Sequence, residues 1–253
     1  MNKTSTDKWF SDFTDSYRKN GTLPSMLEIK LGHSRRVAAN ALAIAESEGL
    51  TGGDEILTAY MVGLLHDVGR FEQYIRYETF LDAASIDHGD FGAELLEEKF
   101  DWNSVPEKIK EAVIAGVKYH NKKDVPENLP SYVIPWVKLI RDADKIDIFR
   151  TIQQRIDNGT IFDMMPRHEK VTGLNPVLVE EISTTMRGSW KNARSLQDFR
   201  LIQMTWGTDL NFSYSVGLLV REGIFDRISD DLRDYHINGL LTTLNSVILS
   251  KIK

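Results

Sequence analysis

Apolar residues recur every three or four positions through almost all of this sequence, and no segment shows the strict alternation of a half-buried strand. A repeat near 3.6 residues is that of an amphipathic helix, whereas a strand repeats every two residues. The pattern therefore predicts an all-α protein. We expect a single all-helical domain over residues 1–253 with a C-terminal helical extension.

Capping and turn signals predict where the helices lie. Asp54 is a candidate N-cap, Gly69 a candidate stop, and Ser104-Val-Pro-Glu107 has the form of a capping box. The predicted helices cover about 7–18, 25–47, 54–69, 87–99, 104–119 and 135–156, and others begin at Asn175 and Ser195. The segments at 69–87, 121–130 and 157–175 lack clear periodicity. We expect the first two to shape a binding site as loops, and the third to be either a lid over that site or a surface excursion.

The composition limits the kinds of site that this chain can carry. It has no cysteine, so disulfides and thiolate metal sites are excluded, and any metal must be bound by imidazole and carboxylate. A net charge of −6 argues against binding a nucleic-acid polymer but allows a small anionic substrate. No run approaches the roughly 18 apolar residues of a membrane-spanning helix, and the N-terminus has no signal-peptide core. We therefore expect a cytoplasmic protein without membrane contact.

Two of the histidines stand at the end of an apolar helical face. His66, followed by Asp67, ends the run Met-Val-Gly-Leu-Leu, and His120 ends a series that includes Ile109 and Val113. A lone histidine is usually exposed or hydrogen-bonded within the core. At the end of a buried face it points inward, where it needs a polar partner.

An aspartate has the same property further along the chain. Helical spacing places Asp144 on the face marked by Val137 and Ile140. A buried carboxylate is costly unless a cation compensates it, so the alternatives are a salt bridge and a bound metal. Converging imidazoles favour a metal such as Zn²⁺, Fe, Mn²⁺ or Co²⁺. Asp142 and Asp147 lie on other faces, where we expect them to meet solvent or to support a ligand.

Three short strings resemble the signature of the HD superfamily of metal-dependent phosphohydrolases. They are Leu-Gly-His33-Ser-Arg-Arg-Val-Ala, Gly63-Leu-Leu-His66-Asp67-Val-Gly-Arg70 and Arg141-Asp-Ala-Asp144-Lys145-Ile-Asp147. The resemblance includes the family's first histidine, its histidine–aspartate doublet and its final aspartate, in that order. It covers about 25–155, which implies a metal-binding core there and leaves 156–253 as the helical extension. It implies an HD-domain helical bundle in which His33, His66, Asp67 and Asp144 bind a metal.

Two further histidines match the extra ligands of the family's binuclear branches. His88, in Asp-His-Gly-Asp, and His120, in Tyr-His-Asn, would bind a second metal that Asp67 shares. The alternative is that they contact substrate or only support the structure. The resemblance implies one or two divalent transition ions (Fe, Mn, Zn, Co or Ni), with Mg allowed. His168 and His236 match nothing in the family, and we expect them at the surface.

The activity implied by the resemblance is hydrolysis of a small phosphate ester by metal-activated water, with two metals about 3.5–4 Å apart where both sites are filled. Asp67, as the shared ligand, would be essential to catalysis. Lys145 and Arg70 are candidates to neutralise charge on the phosphoryl group. The alternative is that each is a surface cation, and for Arg70 we favour that alternative.

Two other functions use the same residues. Some binuclear members of the superfamily hold two irons and use dioxygen to cleave carbon–carbon or carbon–phosphorus bonds. A third alternative is a non-catalytic regulator that binds nucleotides. Hydrolysis is the commoner activity, and the intact ligand set argues against loss of catalysis. The expected partner is a small-molecule phosphate ester or nucleotide, and a homo-oligomer is allowed.

Overall fold

Every regular element of the computed structural model is helical within the residues that it describes, 2–165 and 171–252. The all-α prediction is confirmed, and an isolated antiparallel bridge between Lys19 and Thr22 forms no strand. No helix among these residues combines the length and apolar character needed to cross a membrane. The helices are α1 (Lys3–Asp15), α2 (Ser25–Ser47), α3 (Gly53–Leu65), α4 (Val68–Tyr77), α5 (His88–Lys99), α6 (Glu107–Tyr119), α7 (Ile134–Asp157), α8 (Ile161–Met164), α9 (Pro176–Thr185), α10 (Leu196–Thr208), α11 (Ser213–Arg221), α12 (Ile224–Asp231) and α13 (Asn238–Leu249).

The chain divides into two compact units, Met1–Asp147 and Ile148–Lys253. The division falls inside α7, directly after Asp147. The sequence predicted that the core would end slightly later, at about residue 155. All six expected metal ligands precede this division, so the candidate site belongs to the first unit. The expectation of one domain over 1–253 stays a prediction.

Helices α2 to α6 pack around large apolar side chains in the first unit. Leu27, Met61, Leu64, Phe71 and Leu96 are each almost fully buried in this core. Complete burial of one such side chain contributes about 1.5–3 kcal/mol relative to leaving it exposed. The core therefore fixes the helix ends from which the site is built.

Glycine allows two pairs of these helices to approach closely. A side chain at Gly63 would place its Cβ 2.7 Å from Ala38 Cα in α2, and one at Gly69 would place it 2.3 Å from the His88 carbonyl oxygen. Both distances are shorter than van der Waals contact, so these positions need a residue without a Cβ. The two glycines flank the His66–Asp67 doublet, and they let it lie close to both α2 and α5.

The segment after the doublet differs from the sequence prediction. Gly69 does not stop a helix, because α3 ends before the His66–Asp67 doublet and α4 begins directly after it. The predicted loop at 69–87 is therefore helical in its first part, and only 78–87 lies between α4 and α5. Apolar residues continue on both sides of this corner, which is why periodicity alone placed the break too late.

Two of the predicted helix starts are also corrected. Gly52, rather than Asp54, precedes α3. Pro106, rather than Ser104, is the N-cap residue of α6, and its side chain makes no capping hydrogen bond. Proline at this point sets φ close to the helical value, which starts the helix without a polar cap. Ser195 does cap α10, and its hydroxyl accepts from a backbone N–H at 3.0 Å.

The second unit has a core of its own. Ile152, Ile161 and Phe199 are buried together there. Arg200 is buried as well, and its Nε donates to Asp231 Oδ2 at 2.7 Å. This ion pair compensates the cost of burying the guanidinium, as a buried charge requires.

Candidate metal centre

The structure brings all six predicted metal ligands together at one point of the first unit. Four of them come from helix ends and two from helix interiors. They are His66 after α3, Asp67 before α4, His88 at the start of α5, His120 after α6, His33 within α2 and Asp144 within α7. All except Asp144 are buried, and the Asp144 side chain is only 18% exposed.

One half of the cluster, the His33 side, consists of His33, His66 and Asp144 around one oxygen of Asp67. His33 Nε2 lies 3.1 Å from Asp144 Oδ1 and 3.2 Å from His66 Nε2. Asp67 Oδ2 lies 3.5 Å from each of the two Nε2 atoms. Ligand atoms around a tetrahedral ion are roughly 3.3 Å apart, so these four atoms have the spacing of a metal site.

The other half, the His88 side, consists of His88 and His120 around the second oxygen of Asp67. The two Nε2 atoms are 3.0 Å apart. Asp67 Oδ1 lies 3.5 Å from His88 Nε2 and 3.7 Å from His120 Nε2. In the described part of the chain, Asp67 supplies the only carboxylate oxygen paired with these two atoms. Asp67 therefore lies between two pairs of imidazoles, and His66 and His120, one from each pair, also lie close enough to bind one ion together with Asp67.

His66 and His120 are oriented in the same way, each by the last turn of the helix that it ends. His66 Nδ1 donates to the Gly63 carbonyl oxygen at 2.8 Å, and His120 Nδ1 donates to that of Val117 at 2.7 Å. A carbonyl oxygen can only accept, so each Nδ1 carries a proton. In the neutral imidazole the lone pair then lies on Nε2, which faces Asp67.

His33 and His88 are oriented by carboxylates instead. His33 Nδ1 lies 2.7 Å from Asp147 Oδ2, and His88 Nδ1 lies 2.7 Å from Asp82 Oδ2. Carboxylate–histidine pairs of this kind fix the ring and raise its basicity at metal sites. The sequence did not single out Asp82, because it lies between α4 and α5, where no periodic pattern or motif marks it.

Two features of the cluster fit a bound cation and are unfavourable without one. The first is that the Nε2 atoms of His88 and His120 face each other at 3.0 Å, while their Nδ1 atoms are already engaged with Asp82 and with the Val117 carbonyl oxygen. The second is that the buried Asp144 Oδ1 is paired with no cationic group other than the imidazoles of His33 and His66 among the described residues. A divalent metal would satisfy both, and the donor set of imidazole and carboxylate suits a transition ion.

Burial and neighbouring charges set the protonation states of these ligands. Burial lowers the pKa of His66 to about 3 and that of His88 to about 4, so both are neutral near pH 7. Burial also acts to lower the pKa of His33, but the carboxylates Asp144 and Asp147 outweigh it and raise the pKa to about 9. In the absence of metal, His33 therefore holds a proton that His88 lacks.

Lys30 is a member of the site that the sequence analysis missed. It lies on α2, one turn before His33, and its Nζ donates to Asp67 Oδ2 at 2.7 Å. Although burial opposes ionisation, this ammonium helps to hold the pKa of Asp67 well below its usual range. The three-residue spacing from His33 was the available signal, since residues three apart share a helix face.

Arg70 occupies the corresponding place at the other oxygen of Asp67. Its Nε lies 3.6 Å from Asp67 Oδ1, and its Nη1 donates to the Phe80 carbonyl oxygen at 2.5 Å and to Asp82 Oδ1 at 2.8 Å. The side chain is only 15% exposed. The surface alternative for Arg70 is therefore wrong, because the corner at the doublet turns the start of α4 towards the cluster.

Burial along α7 differs from the prediction made from helical phase. Asp142 and Asp147 were expected to meet solvent or to support a ligand, and they are 0% and 3% exposed, so neither meets solvent, whereas Asp144 is partly exposed. Asp147 accepts from Arg36 Nε at 2.6 Å and pairs with His33, which explains why it can be buried. This part of α7 is enclosed on several sides, so one apolar stripe does not identify its buried positions.

The remaining predicted residues lie in three different situations. Lys145 follows Asp144 on α7 and is partly buried, and its contact with a phosphoryl group stays a prediction. His236 is exposed, in agreement with the sequence analysis. His168 lies outside the described residues.

Comparison with known proteins gives one match, to a domain family. Residues 31–149 match the family model described as HD domain, and this span contains all six residues of the cluster. No curated protein and no solved structure gives a significant match. HD domains are helical, bind divalent metals and are generally metal-dependent phosphohydrolases. Residues 31–149 of this chain therefore match an HD domain, in agreement with the resemblance to the HD superfamily.

Proposed function

We propose that this protein is a metal-dependent phosphohydrolase that acts on a small phosphate ester such as a nucleotide. The observation that carries the proposal is the pair of facing imidazoles at each oxygen of Asp67, with Nε2–Nε2 distances of 3.2 and 3.0 Å. The match to a family that generally hydrolyses phosphate esters supports the choice of reaction.

The residues of the cluster divide between two ions. His33, His66, Asp144 and Asp67 Oδ2 would hold one, and His88, His120 and Asp67 Oδ1 would hold the other. Imidazole and carboxylate ligands without thiolate suit Fe, Mn, Zn, Co or Ni. When bound, the metals would lower the pKa of a water nucleophile and neutralise charge on the phosphoryl oxygens.

Arg70 is the side chain best placed to contact a phosphoryl oxygen on the His88 side. Its Nε is buried and has no hydrogen-bond partner among the described residues. Its Nη1 is held by the Phe80 carbonyl oxygen and by Asp82, so the guanidinium keeps one orientation. A charged donor fixed in advance stabilises the charge that develops on the phosphoryl group. Lys145, beside Asp144, is a second candidate for the same task.

The reaction that follows needs no nucleophilic side chain. The oxygen of a water molecule bonds to phosphorus while the ester P–O bond breaks. The leaving oxygen takes up a proton, and the products are phosphate and an alcohol. In this scheme the neutral imidazoles act as ligands only, since burial keeps His66 and His88 unprotonated near pH 7.

A substrate panel tests this proposal. Metal-free protein would be loaded separately with Mn²⁺, Fe²⁺, Co²⁺ and Mg²⁺ and assayed for phosphate release from nucleoside phosphates, cyclic nucleotides and simple aryl phosphates. We expect metal-dependent turnover of at least one class, abolished by a chelator and restored by metal. The matched control is His236→Ala, which replaces an exposed histidine outside the cluster and should be fully active.

Two other outcomes would overturn the proposal. A mixed-valent diiron signal in electron paramagnetic resonance, with oxygen uptake and no phosphate release, would establish an oxygenase. Binding of nucleotides without turnover of any member of the panel would establish a regulator. Both alternatives use the same ligand set, so the panel and the spectrum are needed together.

A further inference from the structure

Lys30 points to the kind of ester that this site accepts. We propose that Lys30 and Arg70 form an anion-binding pair, one on each side of Asp67, that recognises the dianionic group of a phosphomonoester. This inference rests on the proposed phosphohydrolase function and names the substrate class of that same site. It adds Lys30 as a substrate-binding residue.

The position of Lys30 is unusual for a lysine. Its side chain is only 20% exposed, its Nζ donates to Asp67 Oδ2 at 2.7 Å, and the ammonium lies 5.5 Å from the centre of the Phe80 ring. Lysine side chains are mostly exposed unless they are paired. Asp67 is the acidic partner that makes this burial tolerable.

Arg70 repeats the arrangement at the other oxygen. Its guanidinium lies 5.7 Å from the centre of the same Phe80 ring, and its Nε is 3.6 Å from Asp67 Oδ1 without a hydrogen-bond partner among the described residues. Phe80 therefore contacts both cations, and Asp67 lies next to both. The two donors converge on the carboxylate that joins the halves of the cluster.

Binding of metal to Asp67 changes the electrostatic surroundings of Lys30 and Arg70. Once Asp67 serves as a metal ligand, its charge is compensated by the ions, and Lys30 has no other acidic partner among the described residues. Arg70 keeps Asp82, but its Nε remains available. A buried ammonium without a counterion is unfavourable, so the loaded site favours an anion next to Lys30.

The number of cations favours a monoester over a diester. The phosphoryl group of a monoester carries about −1.5 to −2 charge near pH 7 and offers three strong acceptor oxygens. A diester carries a single charge and has one fewer such oxygen. A dianion can satisfy Lys30 and Arg70 together, whereas a diester would leave one of them uncompensated.

The test compares two esters and one ion in the Mn²⁺-loaded full chain. The probes are p-nitrophenyl phosphate, bis(p-nitrophenyl) phosphate and inorganic phosphate, with phosphate binding measured by calorimetry. The variants are Lys30→Gln and the charge-conserving Lys30→Arg. Lys8→Gln is the control, because Lys8 also pairs with an aspartate, at 2.6 Å, but is 75% exposed and outside the site.

We expect the native protein to prefer the monoester. Loss of a charge-assisted hydrogen bond in Lys30→Gln should weaken phosphate binding and lower monoester kcat/KM by about ten- to a hundredfold, with diester kcat/KM changing less than about threefold. Lys30→Arg should recover most of the loss. Metal content should be the same in all variants, and Lys8→Gln should match the native protein.

Several results would overturn the inference. The first is an unchanged phosphate affinity in Lys30→Gln. The second is an equal loss of kcat/KM for the monoester and the diester in that variant, and the third is loss of its bound metal together with its activity. The proposed function fails in a different way. If the native protein hydrolyses neither ester nor any member of the nucleotide panel, the hydrolase proposal is overturned. Phosphate binding that depends on Lys30 would then still support the anion-binding pair.

Discussion

The two sides of Asp67 orient their histidines in the same way but differ in the number of carboxylate ligands. On each side, one imidazole is fixed by a backbone carbonyl and the other by a carboxylate that also pairs with an arginine. The His33 side adds a second ligand carboxylate, Asp144, which lies 3.1 Å from His33 Nε2. The His88 side has no such addition among the described residues.

This difference in the number of ligand atoms predicts that the two sides bind metal differently. Two carboxylate oxygens and two imidazoles can complete a four-coordinate site on the His33 side, whereas the His88 side offers three ligand atoms. Closed sites of four protein ligands are usually structural, while catalytic sites keep a position open for water or substrate. We therefore expect tighter binding on the His33 side and exchangeable ligands on the His88 side.

Removing the shared carboxylate should have the largest effect. We expect Asp67→Ala to abolish metal binding on both sides and all activity, because each side loses an oxygen ligand and Lys30 is left beside the imidazoles. Metal content by plasma mass spectrometry and turnover of the best substrate measure this. His236→Ala serves as the control. Retained activity in Asp67→Ala would contradict the site assignment.

Removing one ligand from each side should separate the two halves. We expect Asp144→Ala to lose the tighter metal, while His120→Ala should lose the weaker one and keep the tighter. Metal titration followed by calorimetry counts the remaining sites and gives their affinities. If both variants lose the same class of site, the assignment of Asp144 to one side alone is wrong.

The carboxylates behind the histidines should produce smaller, side-specific effects. Asp147→Asn should weaken the His33 side and Asp82→Asn the His88 side, each by about 10- to 100-fold in metal affinity, since these groups orient a ligand without touching the metal. The matched pair is its own control, because each variant should leave the opposite side near its native affinity. Equal effects of either variant on both sides would show that the sides are not independent.

The smallest expected effect is a difference in proton release. The pKa of His33 is raised to about 9, chiefly by Asp144 and Asp147 against the effect of burial, so His33 is protonated at pH 7.5 without metal. Burial lowers the pKa of His88 to about 4, so His88 is neutral there. Because a metal needs the neutral imidazole, binding to the His33 side should release about one proton from His33, and none should come from His88.

Calorimetry in buffers of different ionisation enthalpy measures this release. Below about pH 9, affinity on the His33 side should rise with pH, by about tenfold per unit, as the competing proton is removed. The His120→Ala variant isolates that side. Proton-neutral binding in this variant at pH 7.5 would show that His33 does not carry the proton.

Much of the site was predictable because its residues follow local rules. His66 and His120 end apolar helical faces, and the structure places both at the carboxyl end of a buried helix. Gly63 and Gly69 flank the doublet in the sequence, and both sit where a Cβ would clash. Such signals need only the spacing of residues along one helix.

Lys30, Asp82 and Asp147 were missed or misplaced because their roles depend on distant partners. Asp82 pairs with His88 and Arg70 from an irregular segment. For Asp147 the sequence left two alternatives, solvent or support of a ligand, because one apolar stripe cannot describe a helix enclosed on several sides; the structure pairs it with His33. No local pattern distinguishes such residues from solvated charges.

The sequence by itself determined that the chain is helical, that any metal must be bound by imidazole and carboxylate, and that the doublet belongs to an HD domain. These follow from periodicity, composition and motif, which are local properties. Only the tertiary structure decided that Asp67 turns one oxygen to each pair of imidazoles, and that Lys30 and Arg70 lie at those same two oxygens. The reason is that burial, pKa and pairing depend on which helices meet, and no spacing within one helix specifies that.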